Sequence, residues 1–231
     1  MLNLSFLLFQ SPDATTEEGA AKSQNLVDIV VSGGPMGIAI VAILLVLSFL
    51  ALVIFVERYL TIQKASKIDE NFINNIRVSV ASGNIEGAKA LCRGTDTPAA
   101  RMIEKGLMRI GKPLKDIDAA IENVGNLEVF KLEKNLSSLA SISGAAPMVG
   151  FLGTVTGMIL AFYEMSSQQN VTPSVLAGGI YQALITTAFG LVIGIFAFVG
   201  YNYLVAKVEQ VIFQMEKITL DFMDLLQEPG S

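Results

Sequence analysis

The sequence predicts an all-α, polytopic membrane protein with three transmembrane helices, the second and third of which extend into a cytoplasmic helical bundle. Three observations predict it. Residues 135–206 comprise 72 positions and carry one charge, Glu164. A bilayer core takes about 20 apolar residues per helix, so this stretch holds two spans, divided by the polar, turn-forming residues 166–173. Finally, 13 of the 16 Lys and Arg residues fall within 57–134. The composition agrees, at 52% hydrophobic with a mean hydropathy of +0.55.

In chain order, residues 1–34 form an extracytoplasmic segment. Its first ten residues, MLNLSFLLFQ, are apolar but lack a basic start and a small-residue cleavage site. A short helix lying on the membrane surface fits them better than a cleaved signal peptide. Residues 35–57 form the first transmembrane helix, rich in Leu, Ile, Val and Phe and read as a lipid-facing anchor. Residues 58–134 form a cytoplasmic helical domain. Asn84 stands before IEGAKALCR as an N-cap, and Thr97-Pro98 opens AARMIEKGLMRI with proline at the first helical position. Pro113 opens a helix expected to run without a break into the second span. Its apolar stripe is Ile117, Ile121, Val124, Leu127, Phe130 and Leu132.

Residues 135–163 are transmembrane helix 2, 164–174 a periplasmic loop and 175–206 transmembrane helix 3. Residues 207–231 continue that helix into the cytoplasm along an apolar stripe of Val208, Ile212, Met215, Leu220, Phe222 and Met223. The positive-inside rule sets the orientation, with the N-terminus and short loop periplasmic and the large basic segment and C-terminus cytoplasmic.

Composition also excludes function classes. The sequence contains no histidine, which removes Ser-His and Cys-His nucleophile pairs, HExxH zinc sites and histidine proton relays. No metal or cofactor is expected, and no enzyme activity. Cys92 is the one cysteine, read as a reduced bystander thiol. Residues 57–134 balance 13 basic against 11 acidic side chains, so a solvated helical surface fits better than a nucleic-acid patch.

Two runs within the uncharged stretch are too rich in Gly and Thr to serve only as anchors. Gly153/Gly157 and Gly190/Gly194 are small-xxx-small pairs that let helix backbones approach, with Gly150 beside the first. At 100° per residue, Thr154 shares a face with Ser143, Pro147 and Gly150, and Thr187 shares one with Ala183 and Gly194. Opposite lie the bulky stripes Phe151, Met158, Ile159 and Phe162, then Phe189, Ile193 and Phe196. A membrane threonine can satisfy its hydroxyl on its own helix, so each alone fits simple packing as well as function. Two such stripes on consecutive helices favour a polar surface shared within an assembly.

These runs, AAPMVGFLGTVTGM and LAGGIYQALITTAFGLVIGIFAFVGYN, resemble the two signatures of the MotA/TolQ/ExbB proton-channel family, in family order and spacing. Three spans argue against the four-span MotA branch, and the extended N-terminal segment leans to the ExbB-like one. The resemblance implies an inner-membrane motor subunit driven by the proton motive force. It implies a homopentamer around a single-span ExbD/TolR-like partner that brings an ionisable Asp, with a TonB-like protein as a further candidate partner and membrane lipid around the whole. By position, Thr154 and Thr187 resemble the family's pore hydroxyls, with Gln182 and Ser143 beside them. Many relatives have Glu where this chain has Gln182, and Pro where it has Phe196. The first departure puts in doubt a carboxylate on the third helix; the second predicts a straighter helix. Glu164 is either a solvated helix-end charge or a group for proton uptake. A TolQ-like envelope duty, a non-conducting scaffold and a solute transporter are the rival readings. The transporter lacks an inverted repeat or a charged site at mid-membrane.

Overall fold

The computed structural model describes residues 34–67, 71–167 and 173–227. The expectations for residues 1–33 and for the middle of the loop after Glu164 lie outside them. Among the described residues the chain is all helical: α1 (Gly34–Ala65), α2 (Asn71–Ala81), α3 (Ile85–Gly94), α4 (Pro98–Leu107), α5 (Leu114–Glu133), α6 (Leu136–Ser167) and α7 (Pro173–Gln227). Helices in three stretches, within 35–65, 114–167 and 177–227, are long and apolar enough to cross a membrane. The antiparallel pair α6 and α7 forms the spine, and α1 lies along it.

The caps form where the sequence places them. Asn84 Oδ1 accepts from the Gly87 amide at 2.9 Å, and Thr97 Oγ1 accepts from the Ala100 amide at 3.4 Å. The expected unbroken helix from Pro113 into the second span does not form. The helix ends at Glu133, Lys134 adopts φ −50° and ψ 136°, and Asn135 sits at φ 63° before α6 begins. Asparagine tolerates this left-handed conformation better than most residues with a Cβ, so the chain changes direction here without glycine. α7 runs unbroken for 55 residues, as expected with Phe196 rather than proline at that position.

The charged ends of the long helices pack with α4 and α5. The α7 stripe is Leu204, Val208, Val211, Met215, Ile218 and Phe222, all buried and spaced alternately four and three residues apart, as a helix face requires. Leu220 points outward, 65% exposed. Phe222 lies over Gly106, where a Cβ would stand 2.7 Å from the ring. On α5, Ile117, Ile121 and Leu132 are buried, but Leu127 and Phe130 are 61% and 73% exposed. At 100° per residue both fall outside the arc set by Ile117 and Ile121.

Glu128 occupies the buried arc instead. Its carboxylate accepts from Arg101 Nη2 at 2.6 Å and from Lys131 Nζ at 2.7 Å, and Arg101 also reaches Asp96. A second buried charge, Arg58 at the end of the apolar part of α1, donates to the Lys131 carbonyl at 3.1 Å. That carbonyl lies in the last turn of α5, where orphan acceptors and the helix dipole favour a cation.

Candidate functional site

The seam between α6 and α7 is built from small residues in antiparallel register. Ala161 faces Gly179, Gly157 faces Ala183, Gly153 faces Thr186, and Gly150 faces Thr187 and Gly190. Further along, Gly194 meets Pro147 and the Ser143 carbonyl. A Cβ at Gly190 would stand 2.6 Å from the Ala146 carbonyl oxygen, and one at Gly150 would stand 2.9 Å from the Thr186 carbonyl oxygen. Both neighbours are backbone, so these two glycines set the distance between the helices. Pro147 has no amide hydrogen for the Ser143 carbonyl. Gly194 lets α7 close over the carbonyl left free.

The hydroxyls lie within and beside this seam. Thr187 Oγ1 donates across it to the Gly150 carbonyl at 2.9 Å. Thr154 Oγ1 donates to the Phe151 carbonyl at 2.6 Å, and Ser143 Oγ to the Ala140 carbonyl at 2.7 Å. Both of those bonds stay within α6, and all three side chains are half-buried. Thr154 follows Gly150 by one turn, so it stands within ~6 Å of the level at which Thr187 crosses.

The position of α1 distinguishes the two flanks of the seam. Ile40 of α1 packs beside Gly153, and with Leu44 it joins Ala146, Val149 and Ile193. Gly37 of α1 meets the Gln182 amide, which would lie 2.9 Å from a Cβ there. At 100° per residue, Gly153 and Val149 lie to one side of Gly150, and Gln182 and Ile193 to the matching side of Gly190. Thr154 and Thr187 lie on the other side. The structure therefore brings Thr154, Thr187 and Ser143 to the flank away from α1 and turns Gln182 toward α1. Glu164 is exposed, ten residues and ~15 Å of helix rise beyond Thr154.

Thr186, which the sequence reading passed over, is 4% exposed. It fills the notch left by Gly153 while its hydroxyl donates to the Ala183 carbonyl at 2.7 Å. Its role depends on the seam register, which helical spacing alone does not supply. Of the bulky stripes, Phe151, Ile159, Phe162, Phe189 and Phe196 are exposed, while Ile193 is partly buried against α1. Among the described residues no group of three His, Cys, Asp or Glu side chains could hold a metal.

A sequence profile of the MotA/TolQ/ExbB proton channel family matches residues 94–217, more than half of the chain. The chain belongs to this family. The matched region holds α4 to α6 and most of α7, including the whole seam, and leaves out α1. Among curated MotA/TolQ/ExbB relatives, the putative biopolymer transport protein ExbB homolog of Methanothermobacter thermautotrophicus is 28% identical over 163 residues, covering 70% of this chain and 58% of that protein. The Tol-Pal system protein TolQ of Pseudomonas aeruginosa is 34% identical over 122 residues, 50% of this chain and 53% of that protein. The biopolymer transport protein ExbB of Neisseria meningitidis serogroup A is 25% identical over 194 residues, 78% of this chain and 87% of that protein. The chain thus spans little more than half the length of the first two.

Proposed function

We propose that this chain is an ExbB-like motor subunit of a bacterial inner membrane, driven by the proton motive force. In this reading it forms a homopentameric channel around a single-span ExbD-like partner and energises outer-membrane transport. The observation that carries the proposal is the pairing of Thr154 and Thr187 on one flank of an uncharged seam, away from α1, inside the region the family profile matches. The seam offers no titratable side chain between residues 135 and 163, or between 177 and 206, other than tyrosines. A proton crossing here needs a carboxylate from elsewhere. A charge at mid-bilayer costs about 2.5–3.5 kcal/mol on insertion scales, and neutral hydroxyls beside it reduce that cost. The partner's helix would supply the carboxylate, and the threonine flank would face it.

The glycine faces do not support the oligomer, because α6 and α7 bury them against each other within one chain. Support comes from the exposed side chains Leu127, Phe130, Phe213 and Leu220 on the charged helices, where lipid is not expected to cover them. The distribution of Lys and Arg supports a cytoplasmic position for that end. Glu164, at the other end, is the solvated carboxylate through which protons would arrive. A TolQ-like envelope duty is the second reading, favoured by the Pseudomonas relative.

The test is reconstitution in liposomes carrying a pH-sensitive dye, with and without a single-span ExbD-like partner. Proton flux is expected only with the partner, and Thr154→Val or Thr187→Val should lower it at least tenfold. Each change removes one hydroxyl at nearly constant size, and losing the Thr187 bond costs about 0.6 kcal/mol, too little to undo assembly. Equal flux with and without the partner would reject the proposal, as would wild-type flux in both variants.

A further inference from the structure

We propose that the groove between α1 and α7 binds one anionic phospholipid per chain, its acyl chain between the helices and its phosphate at Lys207. α1 and α7 run in the same direction, and both walls of the groove are apolar. Leu45, Leu52 and Phe55 line one wall; Phe189, Phe196 and Val199 line the other, over a floor of Leu139. Ala51 and Ala197 give it depth, and Phe55 packs against Gly200. From Leu45 to Tyr59, as from Phe189 to Tyr203, is 14 residues or ~21 Å of helix rise. That exceeds the ~15 Å depth of one leaflet of the hydrocarbon core.

Apart from the Ser48 hydroxyl, the groove is polar at one end only. There the rings of Tyr59 and Tyr203 stack at 6.3 Å, and Lys207 Nζ lies 5.9 Å above the Tyr203 ring. Lys207 Nζ donates to Gln210 Oε1 at 3.1 Å. Among the described residues it has no carboxylate within ion-pair distance. Tyrosines and lysines at such a level are the side chains that meet lipid headgroups. An apolar channel closed by two phenols and an unneutralised cation has the chemistry of an amphiphile with an anionic head.

The test is native mass spectrometry of the full chain, reconstituted with equal amounts of phosphatidylglycerol and phosphatidylcholine and then exchanged into mild detergent. One phospholipid per chain should be retained, with phosphatidylglycerol favoured about fivefold, the effect of one cation beside an anionic headgroup. Ser48→Phe, on the groove wall, should abolish retention. Lys207→Gln should leave retention intact and bring the two lipids to parity. If Ser48→Phe fails to fold by circular dichroism, the Lys207→Gln arm decides. No retained lipid in the wild type, unchanged retention in Ser48→Phe or an unchanged preference in Lys207→Gln would overturn the proposal. So would efficient crosslinking of Phe196→Cys to the groove of a second copy. The count is made per chain with no partner and no proton flux, so it stands or falls separately from the motor function.

Discussion

Glu128 occupies a position that spacing reserves for an apolar side chain. It is 3% exposed and still charged, because two cations neutralise it. Burial pushes its carboxyl group toward a higher pKa, but hydrogen bonds from Arg101 and Lys131 outweigh burial, and the group is held below its ordinary value. Above the unfolded pKa of about 4.3 the stabilisation is present in full. It is lost as pH falls through the lower folded-state value and the carboxylate takes up a proton. The charged bundle should therefore lose thermal stability as pH falls below about 4, and Glu128→Gln should flatten that dependence. At pH 7 the substitution should cost about 1.5 kcal/mol, the low end for a hydrogen bond to a charged group, because both cations reach solvent. Thermal unfolding of both proteins across pH 3–7 checks this; parallel curves would show that Glu128 contributes no acid sensitivity. A stripe drawn from apolar residues alone passed over Glu128 and took in Leu127 and Phe130. Periodicity locates a face, but which charge is neutralised on it depends on helices distant in sequence.

At the scale of elements, the three apolar helices and the α3 and α4 caps were legible, because charge runs and cap residues are local signals. The break at Asn135 was not. An asparagine at φ 63° is selected by the direction in which α5 must leave the bundle, and nothing in the neighbouring residues demands it. The small stripes were visible, but what they face was not. They meet within one chain, so the polar surface available to a partner is the flank carrying Thr154 and Thr187, without Gln182. The seam makes its own prediction. Gly190→Ala places a methyl against backbone on α6 and should destabilise the hairpin by about 1–3 kcal/mol, the usual cost of overpacking. At Gly144 and Gly178 an added Cβ meets nothing within 4 Å, so alanine there should be neutral or, through helix propensity, slightly stabilising. Unfolding in mixed detergent micelles ranks the three variants. Equal stability of Gly190→Ala and Gly144→Ala would show that the seam is looser than its backbone contacts indicate.

At the scale of the whole molecule, the motor reading requires one orientation, with the charged bundle inside the cell and Glu164 outside. Only then does a proton moving down its gradient pass Glu164 before it reaches Thr154 and Thr187. The charge distribution favours this sense, and the protein carries its own means of testing it. Cys92 is 2% exposed, and burial, reinforced by the Glu104 carboxylate, pushes its thiol up to about 12. The reactive species is the thiolate, so at pH 7.4 the native cysteine should give almost no background with maleimide reagents until the fold is opened. Ser82 is exposed in the turn after α2, and a thiol there would titrate near the ordinary ~8.5. In Ser82→Cys, a membrane-impermeant maleimide should fail to label intact spheroplasts and should label after lysis. Gly111 suits the probe less well, because its φ of 93° strains any side chain. Labelling of intact spheroplasts would place the bundle outside, put Glu164 on the proton-exit side and remove the basis for the inward path.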